Sequence, residues 1–596
     1  MNEYFGKLIK ALRAEQNITQ ERLCNGLCTP GMLSLIEKGK RTPNYNLRSR
    51  ILERLGMPSS GMTHFLQPDE YFLWQQKMVI LENVRLGDIS SAKDKLNEFE
   101  KDVAFGDVIM QQFIHDMKGI MYIFEGEYNK ALHEYRQAIA YSLKDITLSK
   151  LYEYELAPIE YYYLLMEQVC LNRSHCVENG ERKGFELLLN RANESMFSDE
   201  VKATIIPMIT TYIVSCLDKD TEENKRLELV DKALELLRKT HTGYHLVPLL
   251  KIKLDLIGRD NTEEKELPSV IEAIEEAASW VNLDLEKLHI GYLYEGITCQ
   301  SIGEVIKSRR KLFGLSQMDL VEDICSVKTL RRIEKGKASA QEYVLSGLLR
   351  RLNLSDAYMF DEIIVCKRNT ISAAKGFRSS TLNSDIINQG YYLQELEKSV
   401  NTEITQNRQI LMVDKAIYQL NAKKINLDDY YDLLNEALLQ TIPKGRTMIK
   451  GKGYYTSGEL DCIYSMAAVA HMKKDNAKES IYRTFFESIL KSGIPIKMFT
   501  QSSILRWLSI SYLIEKKYDE AKNYALIGIK NLLLKSRIRL LSVLMHDIAE
   551  IDEIKTGNSN LEMKKKLREN LYTLAVFTGN ENASKYIYNE IQHMGQ

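Results

Sequence analysis

The chain repeats itself once, with a period of about half its length. When the 596-residue sequence is shifted by 297 positions, residues 5–55 align with residues 302–352 without a gap, and 17 of the 51 pairs are identical. The tetrapeptide Glu-Lys-Gly-Lys at residues 37–40 recurs at residues 334–337, with identical residues on both sides of it. This self-similarity predicts a tandem duplication, so that the same module is built twice.

The match divides each copy into a conserved beginning and a divergent remainder. Beyond the first ~58 residues of each copy the identity fades. Lys118 and Lys415 keep the shift of 297, whereas Ala138 and Ala437 fit a shift of 299. We therefore predict four units: head 1 (residues 1–58), arm 1 (residues 59–300), head 2 (residues 301–355) and arm 2 (residues 356–596).

Helix-breaking residues are scarce in all four units. Ten prolines in 596 residues are under 2% of the chain, against a usual share of ~5%. So few breakers favour long helices with short connections over a turn-rich β protein. Hydrophobic residues at 44% and charged residues at 27% are ordinary for a globular protein. The predicted fold class is all-α.

Cysteine usage and hydropathy bear on the compartment. The nine cysteines are scattered, odd in number and without a Cys-x-x-Cys pair, which is typical of reduced thiols in the cytoplasm. The longest uncharged stretch, residues 203–217, has 15 residues, whereas a membrane span needs about 20. The first residues lack an apolar signal-peptide core. We expect a cytoplasmic protein with no membrane partner.

Each head is predicted to contain five short helices. Apolar residues recur at helical spacing at the start of head 1, and Thr19 and Thr29 are suited to cap a second and a third helix. Gly39 is suited to end the third helix in a left-handed conformation. Ser316, Ser326 and Gly336 occupy the same places in head 2. Two short helices joined by a tight turn, the second of them capped, form a helix-turn-helix.

This pattern resembles the Cro/phage-repressor (XRE) family of DNA-binding domains. In head 1 the resemblance is carried by Ile18-Thr19-Gln20 and by residues 36–43; in head 2 it is carried by Leu315-Ser316-Gln317 and by residues 333–337. Head 2 departs from the pattern, with Ala338 and Ala340 where head 1 has Arg41 and Pro43, which puts one phosphate contact in doubt there.

The resemblance implies that the third helix of each head enters the major groove of double-stranded DNA. The base-reading candidates are Thr29, Pro30, Gly31, Met32 and Ser34 in head 1, and Ser326, Val327, Lys328, Thr329 and Arg331 in head 2. Gln20 and Gln317 should meet a phosphate or an adjacent base. The phosphate candidates are Lys38, Lys40, Arg41, Lys335 and Lys337. Phosphate contacts position a protein on DNA but do not specify its sequence.

The candidate readers differ between the heads. Lys328 and Arg331 can donate to guanine, whereas Pro30, Gly31 and Met32 offer mostly van der Waals contact. We expect an asymmetric operator with two unlike half-sites. The alternative is that head 1 reads weakly and contributes mainly backbone affinity.

Charge is distributed unevenly along the chain. Residues 1–58 and residues 302–355 each carry a net charge of +5, while the total is −1, so the remainder sums to −11. Basic heads on an acidic remainder are expected of a protein that binds nucleic acid through its heads alone. The alternative is that these lysines and arginines only solvate helix faces.

The arms are predicted to be helical throughout. Between residues 112 and 142, small and aromatic residues fall where a tetratricopeptide repeat has them: Gly119, Tyr122, Gly126, Tyr128, Ala131, Tyr135 and Ala138. Weaker units follow elsewhere, which favours a helical-repeat arm with a concave groove; an irregular helical bundle is the alternative. Tyrosines are abundant, but packing between helices explains them more readily than ligand contact, so ligand-binding residues stay unknown.

An XRE-like head followed by a tetratricopeptide-like arm resembles the Rgg/PlcR/PrgX group of peptide-sensing regulators. The resemblance implies transcription regulation in quorum sensing, with a short signalling peptide as a further partner. Members of that group are typically homodimers of chains with one head and one arm. Because this chain has two of each, we infer a covalent pseudo-dimer, monomeric or itself paired as a homodimer.

The sequence offers no catalytic or cofactor motif. It contains no Gly-x-x-x-x-Gly-Lys-Ser/Thr phosphate loop. His241 and His245 have the spacing of a zinc-binding pair but lack the Glu of His-Glu-x-x-His, so we expect two lone histidines on a helix surface. We predict no enzyme activity, no metal and no cofactor. The alternative function is a helical-repeat interaction scaffold, whose heads bind a protein partner or of which only one head binds DNA.

Overall fold

The computed structural model describes residues 3–58, 63–104, 106–174, 181–217, 222–258, 266–288, 290–294, 298–355, 363–445, 453–493, 496, 498–556 and 561–594. The predicted unit boundaries after residues 58 and 355 adjoin segments 59–62 and 356–362, which lie outside this set. Helices make up nearly all of the regular structure, which confirms the all-α prediction.

In the part of each head that the structure describes there are four helices, so the prediction of five is wrong. Those of head 1 are α1 (Glu3–Glu15), α2 (Gln20–Cys24), α3 (Pro30–Glu37) and α4 (Tyr45–Arg54). The region after α3 has room for one helix because Asn44 caps α4 and Gly56, with a φ of 75°, follows its end.

The helices of head 2 repeat those of head 1 in order and, to within one residue, in length. They are α15 (Ile302–Phe313), α16 (Gln317–Val321), α17 (Val327–Glu334) and α18 (Glu342–Arg351). The predicted caps form: the side chains of Thr19, Thr29, Ser316 and Ser326 each accept a hydrogen bond from the backbone of the helix that follows. Gly39 and Gly336 have φ angles of 69° and 63°, as a left-handed helix end requires.

The arms are stacks of antiparallel helices. Arm 1 contains α5 (Pro68–Leu86), α6 (Ile89–Asp102), α7 (Val108–Phe124), α8 (Tyr128–Ser142), α9 (Pro158–Arg173), α10 (Glu181–Glu194), α11 (Asp199–Ser215), α12 (Glu223–Thr240), α13 (Leu246–Ile257) and α14 (Glu266–Trp280). Short 3-10 helices lie at Leu148–Glu153 and Tyr292–Tyr294.

Arm 2 repeats this order and ends with one additional helix. It contains α19 (Arg368–Leu382), α20 (Ile386–Ser399), α21 (Thr405–Asn421), α22 (Leu427–Leu438), α23 (Ser457–Met472), α24 (Asn476–Lys491), α25 (Met498–Ile514), α26 (Tyr518–Leu534), α27 (Leu541–Thr556), α28 (Leu561–Phe577) and α29 (Glu581–Met594). Some matched helices keep their lengths, with 17 residues in α7 and α21 and 16 in α9 and α23, whereas others differ, with 12 in α13 and 16 in α27. The duplication therefore extends into the arms, where the sequence identity has faded.

The clearest predicted unit, residues 112–142, is a helical hairpin of α7 and α8. A Cβ on Gly119 would lie 2.9 Å from the ring of Tyr135, so the glycine lets the two helices approach. Ala131 and Ala138 are fully buried on the facing side of α8. Assignment of the unit to the tetratricopeptide class stays a prediction.

Two strands interrupt the helices, so the prediction of arms that are helical throughout is wrong at these places. Strand β1 (Thr63–Leu66) follows head 1 and pairs in parallel with β2 (Thr298–Ser301), which leads into head 2. Thr63 pairs with Thr298 and Leu66 with Ser301. Each strand has four residues and its partner lies more than 200 residues away, so no local pattern could reveal it.

The two arms meet through corresponding elements. Helix α14 of arm 1 packs against α28 of arm 2, and the loop after α12 meets the loop after α26. In these loops the amide of Gly243 donates to the carbonyl of Ser536 at 2.9 Å, and Thr242 bridges to Arg537. One apolar core continues from arm 1 into the last helices of arm 2. Contact between like elements is the arrangement of an isologous interface.

Candidate nucleic-acid interface

The predicted base-reading residues lie at the N-terminal ends of α3 and α17, on the surface of each head. The exposed members are Thr29, Pro30, Gly31, Ser326, Lys328, Thr329 and Arg331; the half-buried ones are Met32, Ser34 and Val327. The side-chain oxygens of Thr29 and Ser326 accept from the amides of Met32 at 3.2 Å and Thr329 at 3.1 Å. Both helix starts are open to solvent, and their contact with bases stays a prediction.

The predicted phosphate contacts lie on the turns that follow these helices. The exposed members are Lys38, Lys40, Arg41, Lys335 and Lys337. Ala338, at the place of Arg41, is half-buried and carries no charge. Head 1 therefore presents one cation more than head 2 on this turn.

Glu37, the first residue of the repeated tetrapeptide, is an internal anchor of head 1. It is 7% exposed, and Arg13 of α1 binds its two carboxylate oxygens at 2.7 and 3.2 Å. The amide of Gln20 at the start of α2 donates to the same carboxylate at 2.6 Å. The network thus joins α1, α2 and α3 through one buried carboxylate.

Head 2 contains the same network at the corresponding residues. Arg310 binds Glu334 at 2.7 and 3.2 Å, and Gln317 donates to Glu334 at 2.8 Å. In head 2 the Nε of Arg331 also donates to the amide oxygen of Gln317 at 2.9 Å. The network holds Gln20 and Gln317 in place, and one amide N–H of each is engaged within the head.

A glycine pair explains how α1 approaches α3 in both heads. A Cβ on Gly6 would lie 2.4 Å from the carbonyl oxygen of Ile36, and a Cβ on Gly303 would lie 2.2 Å from that of Ile333. Any larger residue would push the third helix away from the first. The identity of these positions between copies therefore reflects packing.

Head 1 is fastened to arm 1 by a buried charge cluster. Glu160, at the start of α9, is fully buried and accepts from Arg54 at 2.7 and 3.0 Å and from Arg50 at 3.3 Å. Ser142 donates to it at 2.6 Å. The two arginines lower the pKa of Glu160 to about 2 against the opposing effect of its burial. Gln112 completes the cluster, accepting from Arg50 at 2.8 Å.

The turn between α2 and α3 of head 1 also touches arm 1. A Cβ on Gly26 would lie 2.1 Å from the carbonyl oxygen of Ser142, so only glycine fits there. Arg22 binds Glu155 at 2.8 Å and the carbonyl of Tyr152 at 2.7 Å. This flank of the helix-turn-helix is therefore braced by the arm.

Head 2 is fastened to arm 2 through a different face. Glu459, the counterpart of Glu160, is fully buried, and Arg309 of α15 binds it at 2.6 and 2.7 Å. Arg351, at the place of Arg54, instead donates to three carbonyl groups at the end of α16. The two heads thus sit differently on equivalent carboxylates, which makes the molecule asymmetric.

The sequence analysis did not predict these head–arm contacts, although the alignment of the two copies contained a signal for their carboxylates. Glu160 and Glu459 are related by the shift of 299 that Ala138 and Ala437 indicate. The amides of Gln112 and Gln409, related by 297, each donate to the carbonyl of the corresponding alanine, at 2.8 and 3.1 Å. Their arginine partners come from unrelated positions, so the alignment could not supply them.

The heads adjoin one another and each contacts the other copy's arm. The hydroxyl of Thr42 in head 1 donates to Glu342 in head 2 at 3.3 Å. Gln67, after β1, exchanges two hydrogen bonds with the backbone of Ala340. Head 1 shares an apolar core with the start of arm 2, through residues such as Ile371 and Phe377. The distance between the heads is thus set by several contacts.

Other predicted features lie as follows. His241 and His245 are not on a helix surface but flank the loop between α12 and α13, both at a φ of 54°, because the chain reverses there to meet arm 2.

In the described residues, no group of three His, Cys, Asp or Glu side chains is arranged to hold a metal ion. None of the described helices is both long enough and apolar enough to cross a membrane.

Comparison with known proteins gives little. No family model matches the chain, and no curated protein matches it in sequence. Among solved structures it is similar to Bacillus thuringiensis PlcR in complex with the peptide PapR7 and DNA, at 17% identity and a TM-score of 0.31, over 49% of this chain and 98% of the PlcR chain. A score this low does not establish a common fold.

Proposed function

We propose that this chain is a sequence-specific DNA-binding transcriptional regulator of the XRE type, with one half-site for each head. The main support is that each head exposes the capped N-terminal end of its third helix. Each head also has a net charge of +5, whereas the rest of the chain has a net charge of −11. Net positive charge on the heads, against a net negative remainder, favours binding of a polyanion at the heads.

The chain would act as a covalent pseudo-dimer. Contact between corresponding loops, near Gly243 and Ser536, supports this because two-fold dimers join like elements in the same way. With both heads in one polypeptide, the second DNA contact is intramolecular. Binding then lacks the steep dependence on protein concentration of a regulator that must first dimerise.

The operator would be asymmetric. Lys328 and Arg331 are exposed donors on α17, suited to guanine. At the same places of α3 stand Gly31, which has no side-chain donor, and Ser34, whose hydroxyl is short and half-buried. A second candidate is that head 2 alone reads bases and head 1 adds backbone affinity. The ion pair between Arg22 of head 1 and Glu155 of arm 1 favours it.

Control by a short peptide bound in the arms completes the proposal, as in quorum sensing. Half-sites lie about one helical turn, ~34 Å, or a multiple of it apart. Because both heads contact both arms, a ligand that shifts the arms would change the head separation and with it the affinity for DNA. A titration of operator binding with candidate peptides measures this directly.

Selection of bound sequences from random duplex DNA tests the proposal. The affinity of the selected duplex should fall steeply with salt because each neutralised phosphate releases counterions. Replacing Lys328 or Arg331 by Ala should weaken binding by about 1–3 kcal/mol and relax specificity at one base pair. Lys585→Ala, on exposed α29, is the matched control and should change nothing. Salt-independent binding, or equal effects of all three variants, would contradict the proposal.

A further inference from the structure

The segment that connects arm 1 to head 2 crosses the inner face of arm 1. Odd-numbered helices contact one another along the arm, α5 with α7, α9 with α11 and α11 with α13, and so form one layer, which we call the inner layer. After α14 the chain passes over this layer at residues 290–294 before it enters β2. We call these five residues the crossing segment.

The crossing segment touches four inner helices. Arg85 of α5 donates to the carbonyl of Ile290 at 3.1 Å. The hydroxyl of Tyr292 donates to the carbonyl of Thr204 on α11. The hydroxyl of Tyr294 donates to Asp116 on α7 at 2.7 Å and lies 2.8 Å from that of Tyr163 on α9. A peptide bound across the arm would make contacts of this kind.

Polar groups of the arm surround Tyr294. Lys77, 6% exposed, places its Nζ 4.4 Å from the ring centroid, an attractive cation–π contact. Asp116 is fully buried and accepts the tyrosine hydroxyl. Phe113 meets the ring edge to face at 5.1 Å. Burial of a lysine and a carboxylate is costly unless they are paired, so this subsite is built for a tyrosine.

Arm 2 takes another course at the same point. After α28 the chain turns at Gly579 and forms α29, which packs against α28. The inner helices of arm 2 carry charged residues, with Asp461 on α23 and Arg506 4.0 Å from Asp547 of α27. The counterpart of Asp461 in arm 1, at a shift of 299, is Tyr162. The inner faces of the two arms thus carry their charged side chains at different positions, Lys77 and Asp116 in arm 1 and Asp461, Arg506 and Asp547 in arm 2.

We propose that residues 290–294 occupy the inner groove of arm 1 as a tethered peptide ligand. The groove of arm 1 recognises a short segment that ends in a 3-10 turn and carries two tyrosines two residues apart, and its own chain fills it. Arm 1 therefore holds head 2 through β2 and accepts no free peptide, and any peptide ligand of the proposed function is left with arm 2. The occupancy itself does not depend on DNA binding.

Tethering sets the strength of this competition. A segment on a short linker acts at an effective concentration of the order of 1 mM. For a peptide whose Kd for the empty groove is about 10 μM, the tethered segment raises the apparent Kd roughly 100-fold, which is the ratio of effective concentration to Kd. Emptying the groove should restore its binding by the same factor.

The test uses the full chain and a fluorescent synthetic peptide of residues 285–294. The peptide should bind the double variant Tyr292→Ala, Tyr294→Ala at least about 100-fold more tightly than the unchanged chain. A peptide with the same two alanines should not bind. Tyr343→Ala, which removes a tyrosine that is 68% exposed on α18, is the matched control and should behave as the unchanged chain.

A folded double variant, judged by its circular dichroism, that fails to bind the peptide overturns the proposal. If that variant does not fold, Tyr294→Phe removes only the hydroxyl that contacts Asp116 and Tyr163. Amide hydrogen exchange in residues 290–294 should then accelerate at least tenfold, and unchanged exchange also overturns it. Loss of DNA binding with peptide binding intact would count against the regulator proposal alone.

Discussion

Replacing Glu160 by Gln should destabilise the protein severely, because this carboxylate is the counter-ion of two buried arginines. Arg54 and Arg50 both bind it, and all three side chains are at most 4% exposed. Glutamine keeps the shape but removes the charge. The amide would also present hydrogens to the backbone amide of Ala157, which donates to Glu160 at 2.8 Å.

The expected loss in the free energy of unfolding can be worked out in two ways. The pKa of Glu160 falls from 4.5 to about 2, which corresponds to about 3 kcal/mol of stabilisation of the ionised form. Because this pKa is lowered in the folded state, that stabilisation is present above pH 4.5 and is lost as the pH falls through about 2. Removing one partner of a buried ion pair typically costs ~3–5 kcal/mol. We expect a loss of about 3–4 kcal/mol at pH 7.

Denaturant unfolding at pH 7, with hydrogen exchange to locate the effect, measures this loss. Glu459→Gln in arm 2 should cost a similar amount and loosen head 2 instead of head 1, since Arg309 loses its partner there. Glu98→Gln is the matched control: its side chain is 60% exposed and pairs only with Lys95, so it should change stability by less than about 1 kcal/mol. A Glu160 variant within about 1 kcal/mol of the unchanged chain would refute the reasoning.

Three further predictions concern packing, salt and pH. Gly6→Ala should destabilise head 1 by about 1–3 kcal/mol in thermal unfolding, because the added Cβ meets a backbone carbonyl. Gly31→Ala is the control and should be neutral or stabilising, since a Cβ there has no atom within 4 Å. Equal effects of the two substitutions would contradict this. Lys335→Ala should lower the slope of log affinity against log salt by about 1, and an unchanged slope would exclude a phosphate contact. Burial raises the pKa of Asp116 from 3.8 to about 7, so the stability that this group contributes is full below pH 3.8 and is lost as the pH rises through 7. The unfolding free energy of Asp116→Asn, measured at pH 5 and at pH 8, should therefore rise by roughly 3 kcal/mol relative to that of the unchanged chain. Parallel pH profiles of the two proteins would contradict this.

The structure of the heads could be predicted largely from local sequence signals. Thr29 and Ser326 are caps because their side chains and the turn before them form a local motif, and the repeat doubled the evidence for each. Non-local contacts escaped prediction. Strands β1 and β2 pair across more than 200 residues, and their four-residue length leaves no periodicity to detect.

The duplication showed which residues are shared but not why. Arg13 and Arg310 were visible as an identical pair, whereas only the structure shows them on Glu37 and Glu334. The joints to the arms were hidden for a different reason. Equivalent carboxylates take arginines from different helices, because the two heads dock through different faces.

The most direct test of the central claim is a footprint of one chain on its selected duplex, with the stoichiometry read by native mass spectrometry. The account predicts one chain per duplex and two protected stretches whose centres lie a whole number of helical turns apart. Loss of Lys328 and Arg331 should erase one stretch and spare the other. Two chains per duplex, or a single protected stretch that these substitutions leave intact, would contradict it.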